Sequence, residues 1–413
     1  MSDYIADNNT KYISKIGMPE RVHIWDETLR GGEQSPGVIF DIQDKVDIAT
    51  YMDEIGVAVI DAGFPMMSKG EREAIKVLLD LGLKAEVGVT VRSSKEDIDT
   101  ALELGAEDIY MFSTTSKFHL HYKHGLTEDD CRKNVLAAAE YAAERGVNFD
   151  FITEDTTRSD VDFVVDLLKD IKELGARRII LCDTVSSITP EAMYRFTRDI
   201  IERVGEGPWG VHCHNDFGLA VANTIAAVQA GVEYPTLTVN SLGDSSGNPA
   251  MEEVIMAVEK LLHISTGIDT TKLYGLCKLV EERSGVYISP QKPICGYNAY
   301  RHESEVHVSG VLAHTGAYEP ILPEEVGRER EFVLGKHSGP TNVKNLLETS
   351  DMELTEEQIS EVLDNIEEKI ELNRDKKISQ FLHQRDDYES NVLGLPEERF
   401  WEIVKEVRDG DSG

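Results

Sequence analysis

Between residues 22 and 243 the chain repeats one unit eight times: a short apolar run that reads as a strand, then an amphipathic stretch with helical spacing. The runs are VHIWD (22–26), VAVIDAGF (57–64), AEVGVTVR (85–92), DIYMFS (108–113), NFDFITED (148–155), RRIILCDT (177–184), WGVHCHND (209–216) and YPTLTVNSLG (234–243). The stretches that follow them include DIQDKVDIATYMDEIG and PEAMYRFTRDIIERVG. Glycine often closes a helical stretch just before the next strand, at Gly56, Gly82, Gly105, Gly146, Gly175 and Gly231, as a left-handed helix cap requires. Strands that alternate with helices lie parallel in one sheet. Eight of them favour an α/β fold closed as a (β/α)8 TIM barrel over an open doubly wound sheet. No GxGxxG opens the first helical stretch, which also speaks against a dinucleotide-binding sheet.

The pattern changes near residue 265. A helical stretch (271–284) leads to SPQKPICGYNAYRHESEVHVSG, rich in turn formers and polar groups. A loop ending in GKHSG follows, then three helical patterns near 340–348, 355–372 and 395–408. The expected division is an N-terminal extension (1–20), a barrel (21–265), and a linker with a smaller, mainly helical accessory domain (266–413) whose last residues, RDGDSG, fray. Asp and Glu number 76 against 42 Lys and Arg, a net charge of −34, with no local basic patch. Such a surface repels nucleic acid and anionic lipid, and argues for solubility or a salty cytoplasm instead. No apolar run is long enough to span a bilayer, and MSDYIADNNTKYISK has neither a signal core nor a transit-peptide composition, so the expected location is cytoplasmic. The five cysteines are odd in number and lack CxxC spacing, which points to reduced, buried thiols.

Polar residues gather where a barrel needs them. Arg30, Glu154, Asp183, Thr184, His212, His214 and Asn248 fall at or just after the C-terminal ends of strands, which converge on one mouth. In VHCHND (211–216), His212 and His214 point to one face of a strand and can ligate one divalent metal; the alternative is a structural HxH. In WDETLRGGEQSPG (25–37), Arg30 can reach a carboxylate or a developing oxyanion, or simply pair with Asp26 or Glu33. Asn248, in the small-residue loop TVNSLGDSSGNPAMEEV (238–254), can turn its oxygen to a metal or cap the next helix. HLHYKHG (119–125) holds three histidines but reads as solvated surface. Arg92, after the third strand, can pair with a distal substrate carboxylate or be structural.

These segments together resemble the metal-dependent family of acyl-CoA condensing and cleaving barrels. It contains isopropylmalate, homocitrate and citramalate synthases and, more distantly, hydroxymethylglutaryl-CoA lyase. The resemblance runs from about residue 20 to 345. It rests on DETLRGGEQSPG, AGFP (62–65), FSTTS (112–116), ITEDTTR (152–158), CDTVSSITPE (182–191), HCHNDFGLAVAN (212–223) and SGNPAMEEV (246–254), then GYNAYRHESEVHVSGVL (296–312) and VLGKHSG (333–339). The last two favour the synthases over the lyase. The resemblance implies condensation of acetyl-CoA with a 2-oxo acid to a 2-hydroxy di- or tricarboxylic acid, with Mg, Mn or Zn polarising the ketone. It implies Arg30, Glu154 and His302 as catalytic residues, and a homodimer whose partner chain can supply His302. Thr184, with Gln34 and Arg92, would bind substrate, and His212, His214 and Asn248 would bind the metal. One departure stands out. After Arg30 the family carries Asp or Glu as a metal ligand, and this chain has Gly31. The metal site is thereby weakened unless Asp26, Glu33, Asp61 or the substrate's own carboxylate compensates. The same departure admits a relative with changed chemistry, such as a retro-Claisen lyase, or a non-catalytic ligand-binding one.

Overall fold

The computed structural model describes residues 8–348, 350–391 and 395–410. Its centre is a closed, parallel, eight-stranded barrel in sequential order. The strands are β1 (Trp25–Asp26), β2 (Val59–Asp61), β3 (Glu86–Arg92), β4 (Asp108–Thr114), β5 (Asn148–Glu154), β6 (Ile179–Asp183), β7 (Trp209–Cys213) and β8 (Tyr234–Leu237). β1 closes the ring, with Trp25 in register with Val59 on one side and Thr236 on the other. All eight expected strands form, several of them shorter than their apolar runs. VHIWD narrows to two residues, and the last run bends into a 3₁₀ turn at Val239–Ser241.

The barrel is filled by side chains. Trp25, Val59, Tyr110, Ile152, Ile180 and Cys182 form one buried cluster. The outer helices turn apolar stripes inward; Val161–Glu173 buries Val164, Val165, Leu167, Leu168 and Ile171. Each such aliphatic side chain contributes about 1.5–3 kcal/mol on leaving water. At the N-terminal end, Arg178 stacks over Trp25 and Tyr234, 4.8 and 5.0 Å from the ring centroids, and pairs with Glu86 and Asp150. That end is plugged by a charge cluster, and the opposite end stays open for chemistry.

Local sequence fixes the helix limits. Asp41 accepts from Asp44 N at 2.8 Å, and Asp44 reaches back to Asp41 N at 3.1 Å, a capping box that starts Ile42–Ile55. Gly56 ends that helix at φ 99°, where a Cβ would stand 2.8 Å from Gly267 O. All five cysteines are buried. Among the described residues no helix is long and apolar enough to cross a membrane.

The chain divides into two compact units. The first runs to Asp269 and adds Leu276–Ser284; the second holds Thr270–Gly275 and the chain from Gly285 onward. The second unit contains a two-stranded parallel pair, Arg301–His302 with Glu331–Phe332, and the helices Glu305–Ala313, Pro340–Leu347, Glu356–Asn391 and Glu397–Gly410. The pattern expected over 355–372 therefore extends to Asn391. Nothing in NRDKKISQFLHQRDDYESN (373–391) is a glycine or proline that would stop it. Of the terminal RDGDSG, the helix covers the first three residues, and the rest lie outside the described residues.

Candidate active site

A cavity of about 350 Å³ opens at the C-terminal ends of the strands. Its lining draws one to three residues from each of the eight strands or the loop that follows it. Arg30, Gln34, Glu154, Thr184, His212, His214 and Asn248 all face it. Arg92 and His302 do not. Arg92 is bound by Asp97, with Nε 2.9 Å from Oδ2 and Nη2 2.7 Å from Oδ1, and half its side chain is in solvent. Asp97 lies in the first turn of the helix directly after β3, which brings its carboxylate to the guanidinium. Arg92 is thus paired with Asp97 and stands outside the cavity lining, the arrangement of the structural alternative. His302 belongs to the second unit. There its Nε2 lies 3.0 Å from Glu319 Oε1, and Glu319 is clamped by Arg330 at 2.6 and 2.5 Å.

Arg30 sits in the turn after β1. The turn closes on the carbonyl of Glu27, which accepts from Arg30 N at 3.1 Å and Gly32 N at 2.9 Å. The guanidinium is held between two acids: Nε is 3.0 Å from Asp61 Oδ2 and Nη2 is 3.1 Å from Glu27 Oε1. Neither partner expected from sequence is used. Asp26 binds Thr28 N and Oγ1 at 2.9 and 2.6 Å, and Glu33 takes Lys45 at 2.7 Å. Burial works to raise the pKa of Glu27, but Arg30 and then His212 outweigh it and hold it at about 2. Burial wins at Asp61, raised to about 6 despite Arg30, and at Asp26, pushed up to about 8.

The two histidines converge. His212 leaves β7 with Nδ1 2.8 Å from Thr236 Oγ1 and 3.0 Å from Glu27 Oε2. His214, just past the strand end, has Nδ1 3.2 Å from Asp244 Oδ1. Their Nε2 atoms meet at 3.0 Å. Asn248 completes the group, with Nδ2 3.4 Å from His212 Nε2 and 3.2 Å from Cys213 O. It does not cap the following helix, whose N-cap is Ala250. Gly243 makes room for it: a Cβ there would lie 2.1 Å from Asn248 Oδ1.

The donor set suits a divalent cation only in part. Two imidazoles and an amide carry no charge, so they hold a hard ion weakly. The observation that improves the fit is an orphan. Glu27 Oε2 is buried and ionised, and beyond His212 Nδ1 at 3.0 Å, which is turned toward Thr236, it has no hydrogen-bond donor. Asp26, Glu33 and Asp61, the acids considered from sequence, are engaged elsewhere.

On the other wall, Glu154 at the end of β5 takes Lys123 Nζ on Oε1 at 2.7 Å, with His119 Nδ1 3.5 Å away. HLHYKHG is therefore not plain surface. It follows β4, so it opens on the same mouth, and a π-helical turn at Leu120–His124 presents Lys123 to the cavity. His121 and His124 remain exposed, as expected. Thr184 Oγ1 accepts from Asp155 N at 2.9 Å. Phe64, Phe112, Ile152 and Cys182 supply an apolar wall. Backbone strain collects here too. Among the described residues, the non-glycine positions with positive φ include Asp155, Ser186, Asn240, Ser241 and Ser245, all in loops that follow strand ends.

Residues 21–280 match the HMGL-like family model, and residues 294–374 match a model described as homocitrate synthase post-HMGL domain-like. A 2-isopropylmalate synthase of Methanocaldococcus jannaschii is 41% identical over 366 residues, covering 89% of this chain and 70% of that one. A homocitrate synthase of Methanopyrus kandleri is 42% identical over 354 residues, covering 86% and 89%. Among solved structures, a Bacillus subtilis HMG-CoA lyase superposes with a TM-score of 0.60 at 20% identity, over 66% of this chain and 97% of that one, a likeness of fold.

Proposed function

The chain belongs to the HMGL-like family, and on that premise we propose that it condenses acetyl-CoA with a 2-oxo acid and releases free CoA. The observation that carries this reading is the meeting of two Nε2 atoms at 3.0 Å beside Asn248, in one cavity with Arg30 and Glu154. His212, His214 and Asn248 would hold the divalent cation, which when bound supplies Lewis-acid polarisation of the keto group. Arg30, fixed by Glu27 and Asp61, faces the cavity with a full positive charge and stabilises negative charge that develops on the substrate oxygen. Thr184 accepts from Asp155 N, which leaves its hydroxyl proton to donate to the substrate carboxylate. Glu154, steadied by Lys123, takes part in moving the proton lost from the acetyl methyl group. His302, oriented by Glu319, serves the same proton traffic if a partner chain supplies it, as in a homodimer.

The wall of Phe64, Phe112, Ile152 and Cys182 favours a short apolar side chain on the oxo acid. Arg92, tied to Asp97, offers no distal carboxylate site. The nearby relatives carry different substrate names at almost equal identity, so the cavity wall is the better guide. The test is thiol release from acetyl-CoA with pyruvate, 2-oxoisovalerate, 2-oxoglutarate or no oxo acid, each with Mg, Mn, Zn or a chelator. The expected result is turnover with an apolar oxo acid that stops in chelator and in Arg30→Ala. Silence across the panel refutes the reading. If Gly31→Asp then gains activity, the chain is a relative that gave up the reaction along with that ligand.

A further inference from the structure

We propose that two carboxylates standing behind the imidazoles, Glu27 at His212 and Asp244 at His214, supply the negative charge of the metal site, replacing a carboxylate at position 31. The inference rests on the metal-dependent reading above. Both histidines present the same edge to an acid. His212 Nδ1 is 3.0 Å from Glu27 Oε2, and His214 Nδ1 is 3.2 Å from Asp244 Oδ1. Both present the opposite edge to each other, Nε2 to Nε2. An imidazole that donates Nδ1–H to a carboxylate carries a lone pair at Nε2. With both Nδ1 atoms protonated, two such lone pairs would face each other at 3.0 Å, a distance that needs a proton or a cation between them. A cation meets that need, and the acids behind the rings make both nitrogens better donors to it.

The position of Glu27 accounts for Gly31. The backbone at Gly31 is right-handed helical, φ −64° and ψ −40°, so glycine is not demanded by conformation. A Cβ there would stand 3.4 Å from Glu27 Oε2. The carboxylate of Glu27 thus lies against the space that a side chain at 31 would enter, brought there from four residues earlier by the turn that closes on its own carbonyl. Its second oxygen holds Arg30, so one carboxylate ties the guanidinium to the metal-site imidazole. In the present ring orientation the hydrogen bond of His212 Nδ1 goes to Thr236, and Oε2 is left buried without a donor. A buried acceptor of that kind needs a partner. A small rotation of the ring would turn the Nδ1–H from Thr236 to Oε2, which is already within 3.0 Å. Glu27 and Asp244 are positioning residues, since each acts through its histidine.

The experiment is Mn²⁺ titration of the full chain without substrate, reading free ion by its electron paramagnetic resonance signal. Glu27→Gln should weaken binding about 10–100-fold, the range found when outer carboxylates behind metal-bound histidines are removed. Adding Gly31→Asp to Glu27→Gln should restore most of that loss, which a merely structural role for Glu27 does not predict. Asp244→Asn, at a half-exposed position, should weaken binding about tenfold and decides the matter if Glu27→Gln fails to fold. Wild-type affinity in both single variants overturns the proposal and leaves the metal reading standing. No Mn²⁺ uptake by the wild-type chain overturns both.

Discussion

Asp26 lies fully buried under the active-site turn, its oxygens taken by Thr28 N and Oγ1. Burial pushes its pKa from 3.8 up to about 8, so the folded chain keeps it protonated at neutral pH. A folded pKa raised above the unfolded one contributes stability that is complete below 3.8 and is lost as pH rises to about 8. Glu27 has the opposite sign. Held at about 2 instead of 4.5, it contributes stability above 4.5 that is lost as pH falls through 2. Between pH 5 and 8 Asp26 is protonated in the folded chain and ionised in the unfolded one, whereas Glu27 is ionised in both. Asp26→Asn should therefore gain on the wild type as pH rises, by at most about 1.4 kcal/mol per pH unit. Urea unfolding at pH 5, 6.5 and 8 measures the gap, and a gap that stays constant sinks the assignment. Residue chemistry in this turn was legible from sequence only in part. Arg30 and the missing acid at 31 could be read from the motif. The substitute at 27 could not, because its inward aim comes from an irregular turn, Arg30 N and Gly32 N both closing on Glu27 O, and not from strand or helix periodicity.

Elements place these residues, and one buried cation links three of them. Lys45 on helix Ile42–Ile55 is 1% exposed, with Nζ 2.7 Å from Glu33 Oε2 in the active-site turn and 2.8 Å from Glu71 Oε2 on helix Lys69–Leu79. It also donates to Leu29 O at 3.2 Å. Removing one partner of a buried ion pair leaves the other charges unmatched, at about 3–5 kcal/mol. Both acids here keep some contact with water, so Lys45→Met should cost toward the low end, about 3 kcal/mol, and should loosen the turn that carries Arg30. The expected signature is a lower urea midpoint together with reduced kcat; full stability with normal turnover would show the clamp to be idle. The element pattern was the most readable part of the chain, since the alternation of strand and helix spacing survives in the observed barrel. What periodicity hid was the short, irregular pieces. The π-helical turn at Leu120–His124 has no repeat to announce it, yet it brings Lys123 to Glu154. The helix to Asn391 was cut short in the reading because its polar second half carries little apolar periodicity.

For the molecule as a whole, the governing quantity is a net charge of −34 spread over 413 residues. Two salt effects compete. Exposed ion pairs such as Arg195–Glu191 and Arg203–Asp162 weaken as salt rises, but each is worth only about 0–1 kcal/mol. The excess of 76 acids over 42 bases repels itself across the whole surface, and screening relieves every such term at once. The Debye length shrinks from about 10 Å at 0.1 M to about 3 Å at 1 M, roughly the spacing at which only direct contacts still act. Buried groups such as Arg178 with Asp150 are shielded from this change. Repulsion should therefore win, and the thermal midpoint should rise by several degrees between 0.05 and 1 M KCl. NaCl at the same concentrations should match it, because screening depends on ionic strength and not on ion identity. A fall in midpoint would mean that surface pairs outweigh the net charge. A rise with one salt and not the other would point to specific ion binding, and would call for a search for that site before any argument from net charge.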